Sequence, residues 1–236
     1  MLNSEKFLNA FHSIEQYLQK QAGFSQKKPF HELTDNVAKS NPMVRYYSND
    51  LKEFAELRNA IVHDRGGGFI IAEPNDWSLN QIDRIKSILL QPPKTFPLFK
   101  TDVIALQVSD SIDMAVSLIY KHTISQIPIK DGIRFHGLLT TNTIARWLGS
   151  LEKEEIISLS DTRIGEVFEY TEDKDNHAFI SRNTNIFEAF DLFQRYEQKG
   201  KRLDAILITE KGQPNEKIIG IMTIADLPKA MGEIRS

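Results

Sequence analysis

Gly220-Ile221-Met222-Thr223-Ile224-Ala225-Asp226 and Gly137-Leu138-Leu139-Thr140-Thr141-Asn142-Thr143 decide how the C-terminal half folds. The two strings align at an offset of 83 residues, which also brings Gly149 onto Gly232. Upstream, SIDMAVSLI (111–119) aligns with NIFEAFDLF (185–193) at an offset of 74, matching Ile112 with Ile186, Ala115 with Ala189 and Leu118 with Leu192. Two anchors in the same order mark a duplication. The nine residues gained between the anchors are expected in the turn-like segment Thr209–Lys217, TEKGQPNEK. Each copy reads strand, helix, strand, strand, helix. In the second copy these are AFIS (178–181), IFEAFDLFQRYEQ (186–198), DAILIT (204–209), KIIGIMT (217–223) and ADLPKAM (225–231). One such unit cannot cover both faces of its small sheet, whereas two packed together can. The copies span about 103–149 and 178–232.

Composition limits what the rest can be. The chain has 236 residues, 41% hydrophobic and 26% charged, enough to bury a core in one large domain or two small ones. It contains no cysteine, which excludes disulfides, a thiol nucleophile and thiolate metal sites. Net charge is −3, so no global basic excess points to nucleic acid. Six histidines show no metal spacing, and no metal is predicted. The acidic run Glu172-Asp173-Lys174-Asp175 lacks the glycine and closing glutamate of a calcium loop and reads as a solvated connection. No apolar run approaches the length of a membrane span and the start is unlike a signal peptide, so a soluble cytoplasmic protein is expected.

The N-terminal half has helical grammar. Phe7, Phe11, Ile14 and Leu18 recur on one helical face, Phe30, Leu33 and Val37 suggest a shorter helix ended near Asn41-Pro42, and Leu51, Phe54, Leu57 and Ile61 mark a third. Gly66–Gly68 suits the exit from that helix, and Ile82, Ile85 and Leu89 mark a fourth. Pro92-Pro93 and Pro97 then force extended backbone. The expected fold class is α+β: an N-terminal four-helix bundle over 1–94, followed over 95–236 by two β-α-β-β-α repeats packed as a pair. Trp77 and Trp147 are expected to be core anchors.

The string ending at Asp226 also suits a ligand. A helix start carries unpaired N–H groups and the positive end of a dipole, a seat for phosphate. The Thr223 hydroxyl can donate to a phosphate oxygen, and the Asp226 carboxylate can accept from both hydroxyls of a ribose. The same two residues equally suit a helix cap and a first-turn acid. Ile180 and Ile206 are candidates to sandwich a flat base, the Ala205 backbone to read its edge, and Lys199, Lys201 and Arg202 to meet phosphate. In the first copy Thr143 stands where the carboxylate would be. A hydroxyl cannot make the two-point contact, so that site is expected to be weak, empty or altered, with ligand preferring the second copy. Together with Ile127-Pro128-Ile129, the arrangement over about 103–232 resembles a tandem pair of CBS domains. The resemblance implies an adenine nucleotide (AMP, ADP, ATP or a relative) as regulatory ligand and a disc-like homodimer.

In the helical half, Arg58 falls by angle between Leu51 and Phe54 inside the apolar stripe, where a guanidinium must be paired. Asn59 and His63 lie one turn apart beside it. Glu56-Leu57-Arg58-Asn59-Ala60-Ile61-Val62-His63 resembles the signature of HEPN domains, small helical bundles that often dimerise. The resemblance implies a composite, metal-independent RNase site in which His63 is general base and Arg58 stabilises phosphorane charge, with Asn59 in the same motif. A structural salt bridge for Arg58 and a helix C-terminal position for His63 is the alternative. The reading that unites both halves is an adenine-nucleotide-sensing regulatory protein whose repeat pair controls the helical domain. Its alternatives are a ligand-gated RNase, with RNA as partner, and a non-catalytic adaptor or dimerisation protein.

Overall fold

A computed structural model describes residues 2–24, 26, 28–63, 72–151 and 156–235. Lys27, Arg65 and the glycines at 66–68 fall outside that set, as does the side chain of His63. The chain divides into two compact units: residues up to Pro93 together with Asn185–Glu188, and Lys94–Thr184 together with the residues from Ala189 onward.

The first unit is helical: α1 (Asn3–Ala22), α2 (Phe30–Ala38), α3 (Pro42–Tyr46), α4 (Ser48–His63) and α5 (Asp76–Leu90). The apolar stripes read from the sequence are buried except at Leu57, which is half-buried, with Phe7, Leu18, Leu33, Leu51 and Ile82 fully enclosed. Phe7 meets Phe54 edge-on at 5.8 Å between ring centroids. α2 ends just before Asn41-Pro42, as expected, and the same pair starts α3. The Asn41 Oδ1 accepts from the backbone N–H of Met43 at 3.0 Å and of Val44 at 3.2 Å, while Pro42 fills a position whose N–H would have no partner. Trp77, expected in the core, is 67% exposed. It stands in the first turn of α5, well off the centre of that helix's buried stripe.

The second unit runs α6 (Thr95–Leu98), β1 (Leu106–Gln107), α7 (Ile112–His122), β2 (Gln126–Asp131), β3 (Arg134–Thr140), α8 (Thr141–Ser150), α9 (Ile164–Phe168), β4 (His177–Ser181), α10 (Ile186–Gln198), β5 (Ala205–Thr209), β6 (Gly220–Met222) and α11 (Leu227–Arg235). The first residues of α10 belong to the segment grouped with the helical unit. Two three-stranded sheets form, β1-β2-β3 and β4-β5-β6. In each, the first pair is parallel and the second antiparallel. The duplication is therefore present in the topology. Its register corrects one expectation: Ile129 pairs with Gly137 and Ile208 with Gly220, so the offset at the middle strand is already 79. Some of the added residues thus precede β5, and the remainder enlarge the β5–β6 hairpin.

The stretches that lead into the two repeats are exchanged. α9, which precedes the second repeat, packs on the first: Gly165 N–H donates to the Val108 carbonyl and Ile164 N–H to that of Asp110, both at 2.9 Å. Ile164, Val167 and Phe168 join the core of Leu106, Ile127, Ile129, Leu139 and Trp147. The stretch before the first repeat packs on the second, with Thr95 N–H donating to the Thr184 carbonyl at 3.0 Å and Thr101 N–H to that of Ile219 at 3.3 Å. The two equivalent glycines show how close these approaches are. A Cβ on Gly137 would lie 2.3 Å from the Phe168 ring, and one on Gly220 would lie 2.4 Å from the Phe99 carbonyl oxygen. Glycine stands at both places because nothing larger fits.

Candidate functional site

β3 ends at Thr140, whose extended backbone turns the chain into α8. Its hydroxyl oxygen accepts from Thr143 N–H at 3.1 Å and lies 3.1 Å from the Thr143 hydroxyl, and Thr141 N–H donates to the Ser125 carbonyl at 3.0 Å. Beside this turn opens a cavity of about 450 Å³, within the size range of small-molecule sites. One wall is Ser125, Gln126 and Thr140–Thr143 of the first repeat. The rest comes from the connecting stretch at Thr171–Asp173 and Asn176 and from Gly200–Arg202 and Asp204 of the second repeat.

The two repeats are tied at this place. Gln126 Nε2 donates to the Asp204 carbonyl at 3.0 Å, Asp204 N–H to the Asn176 carbonyl at 2.7 Å, and Asn176 Nδ2 to the Asp204 carboxylate at 3.0 Å. The charged groups are paired as well. Lys201 Nζ lies 2.9 Å from Asp175, Arg202 Nε 2.6 Å from Asp204, and Glu172 accepts from Asn142 at 3.1 Å and faces Arg146 at 3.5 Å. The Asp175 contact holds the Lys201 ammonium above its ordinary range and the Asp175 carboxyl below its own. The Thr171 hydroxyl oxygen is buried and has no hydrogen-bond partner among the described residues. Among the described residues no aliphatic or aromatic side chain lines the cavity. Its chemistry is that of hydroxyl, amide and carboxylate groups, suited to a ligand rich in hydroxyls and hydrogen-bonding edges.

The residues singled out in the second repeat sit differently. The Asp226 carboxylate accepts from Thr223 N–H at 2.8 Å and from the Thr223 hydroxyl at 3.0 Å, closing the turn on itself as a cap. Ala205 and Ile206 are fully buried, and Ile180 nearly so. Ile206 pairs with Ala178, two residues before Ile180 on the neighbouring strand, so both isoleucines lie on one face of one sheet. They form a single platform there. Of the second-repeat candidates, Lys201 and Arg202 line the cavity beside the first repeat. Gln126, Asn176 and Asp204 were not singled out in the sequence. Gln126 was legible in principle, because the strand register places it where Ala205 stands in the second copy. The acidic run read as a plain connection supplies Glu172 and Asp173 to the wall.

In the helical unit Arg58 is half-buried, at the margin of the stripe, and its Nη1 donates to Asn59 Oδ1 at 3.1 Å. His63 lies in α4, and its side chain is outside the described residues. Among the described residues no group of three or more His, Asp or Glu side chains is placed to hold a metal ion, and no helix is long and apolar enough to cross a membrane.

Residues 98–150 match the sequence profile of the CBS domain, the stretch that carries β1 to α8. Solved structures also align with the chain at low identity. A candidate acetoin utilization protein (AcuB) from Vibrio cholerae is 15% identical with a TM-score of 0.46, over 60% of this chain and 92% of that one. The CBS domain of a bacterial CNNM/CorC family Mg2+ transporter, solved in complex with ATP, is 15% identical with a TM-score of 0.43, over 65% and 97%. Hypoxic Response Protein I, solved with two coordinated zinc ions, is 19% identical with a TM-score of 0.40, over 58% and 97%.

Proposed function

We propose that this chain is a regulatory protein in which residues 94–236 form a CBS pair that binds an adenine nucleotide and sets the state of the helical unit. The observation that carries this reading is the polar cavity at the start of α8, walled by both repeats. A ribose fits its hydroxyl and carboxylate lining. Because the walls come from two repeats, a ligand that bridges them favours one packing of the pair, and that preference is the signal. Calorimetric titration of the full chain with adenosine, AMP, ADP and ATP tests the reading. Binding that weakens at least tenfold in Thr143→Val or Asn176→Ala supports it, and no heat from any of the four ends it.

A homodimer belongs to the same proposal. Met114, Val116 and Tyr120 are large apolar side chains exposed on α7, and a monomer in light scattering at high concentration would contradict it. The helical unit is the responding half. Its second reading, metal-independent cleavage of RNA, draws on the Arg58 guanidinium held half-exposed by Asn59. Cleavage of single-stranded RNA in EDTA that disappears in Arg58→Ala supports catalysis, and its absence leaves the helical unit an adaptor.

A further inference from the structure

We infer that the cavity beside α8 selects a nucleoside or its monophosphate over the corresponding triphosphate. This rests on the adenine-ligand reading above and specifies its charge. Among the described residues the lining carries Glu172, Asp173 and Asp204 against Lys201 and Arg202, one negative charge in excess. Counting the groups these contact leaves the balance unchanged, since Asp175 joins through Lys201 and Arg146 through Glu172.

The cations are also committed. Lys201 and Arg202 are each held by a carboxylate within 3 Å, so a phosphate chain that approaches either one also meets the negative charge of its acid. The helix start offers little compensation. Thr141 N–H is spent on the Ser125 carbonyl and Thr143 N–H on the Thr140 hydroxyl, two of the donors that seat phosphate at a helix N-terminus. The rest of the lining is neutral, with hydroxyl and amide side chains at Ser125, Thr140, Asn142 and Asn176. An uncharged sugar gains from such a wall. A chain bearing three or four negative charges is repelled by it.

Titrating the full chain with adenosine, AMP and ATP in EDTA at low ionic strength, so that no divalent cation screens the phosphates, tests this. Adenosine and AMP should bind, and ATP about tenfold or more weakly. Glu172→Gln combined with Asp173→Asn, and Glu172→Gln alone as a milder variant, should narrow that gap several-fold. Raising salt from about 20 mM to about 300 mM should narrow it too, because screening weakens repulsion and leaves a steric limit untouched. ATP binding as tightly as AMP in EDTA, or a gap indifferent to both salt and the variants, overturns the inference and leaves the adenine reading standing. Failure of all three ligands to bind overturns both.

Discussion

Replacing Gly220 by alanine should destabilise the repeat pair strongly, and the size of the effect follows from one contact. The added methyl would sit 2.4 Å from the Phe99 carbonyl oxygen, 3.2 Å from the Phe99 carbonyl carbon and 3.2 Å from Ile208 Cδ1. Two of these three atoms are backbone, so no rotamer change relieves the clash. The stretch around Phe99 must move, which strains the bridge between Lys100 and Gly220 and the hydrogen bond from Thr101 N–H to the Ile219 carbonyl. Overpacking of this kind costs about 1–3 kcal/mol, and one lost hydrogen bond adds about 1. For a protein of this size that lowers Tm by roughly 5–15 °C. Gly232→Ala is the matched control: it lies in α11 with no atom within 4 Å of the new methyl. Relief of glycine's helix penalty should stabilise by about 0.5–1 kcal/mol, raising Tm by about 1–4 °C. Thermal unfolding followed by far-UV circular dichroism should therefore show the same chemical change acting with opposite signs. A Gly220→Ala protein as stable as the parent would refute the exchange of leading stretches that places Phe99 over the second sheet.

Thr140→Val should cost about 1–3 kcal/mol by urea denaturation, combining a lost helix cap with a stranded Thr143 hydroxyl, while Thr140→Ser should recover most of it. Asp226→Ala removes a carboxylate that accepts two bonds from Thr223, so it should lower stability by about 0.5–2 kcal/mol and leave adenosine binding in calorimetry unchanged; loss of binding would return the ligand to the second repeat. Burial between Phe135 and Phe179 pushes the His177 imidazole below its ordinary value, against a smaller opposing pull from Asp175. With the folded value below the unfolded one, its contribution to stability is full above about pH 6.5 and is lost as pH falls through the folded value. His177→Phe should flatten the fall of Tm between about pH 7 and 5, and an unaltered slope would assign that fall to other groups.

Local periodicity carried much of the architecture. The apolar stripes of α1, α2, α4 and α5 and the order of strands and helices in both repeats are set by spacings within single elements, which a linear string displays directly. The Gly137 and Gly220 strings were also legible as equivalents, because duplication leaves the same residues in the same local order. The α3 start at Asn41-Pro42 and the outward side of Trp77 depended on neighbours that periodicity does not name. The cavity was less visible still. Its wall draws on Gln126, Asn142, Glu172 and Asp204, far apart in sequence and brought together by the packing of two sheets and the connection between them. Whether Thr223 and Asp226 face a ligand or satisfy each other is likewise a matter of which partner lies within hydrogen-bonding reach. Residue types restrict the chemistry a turn can perform; the surrounding packing chooses among those options, since a void forms only where distant surfaces fail to fill the same space.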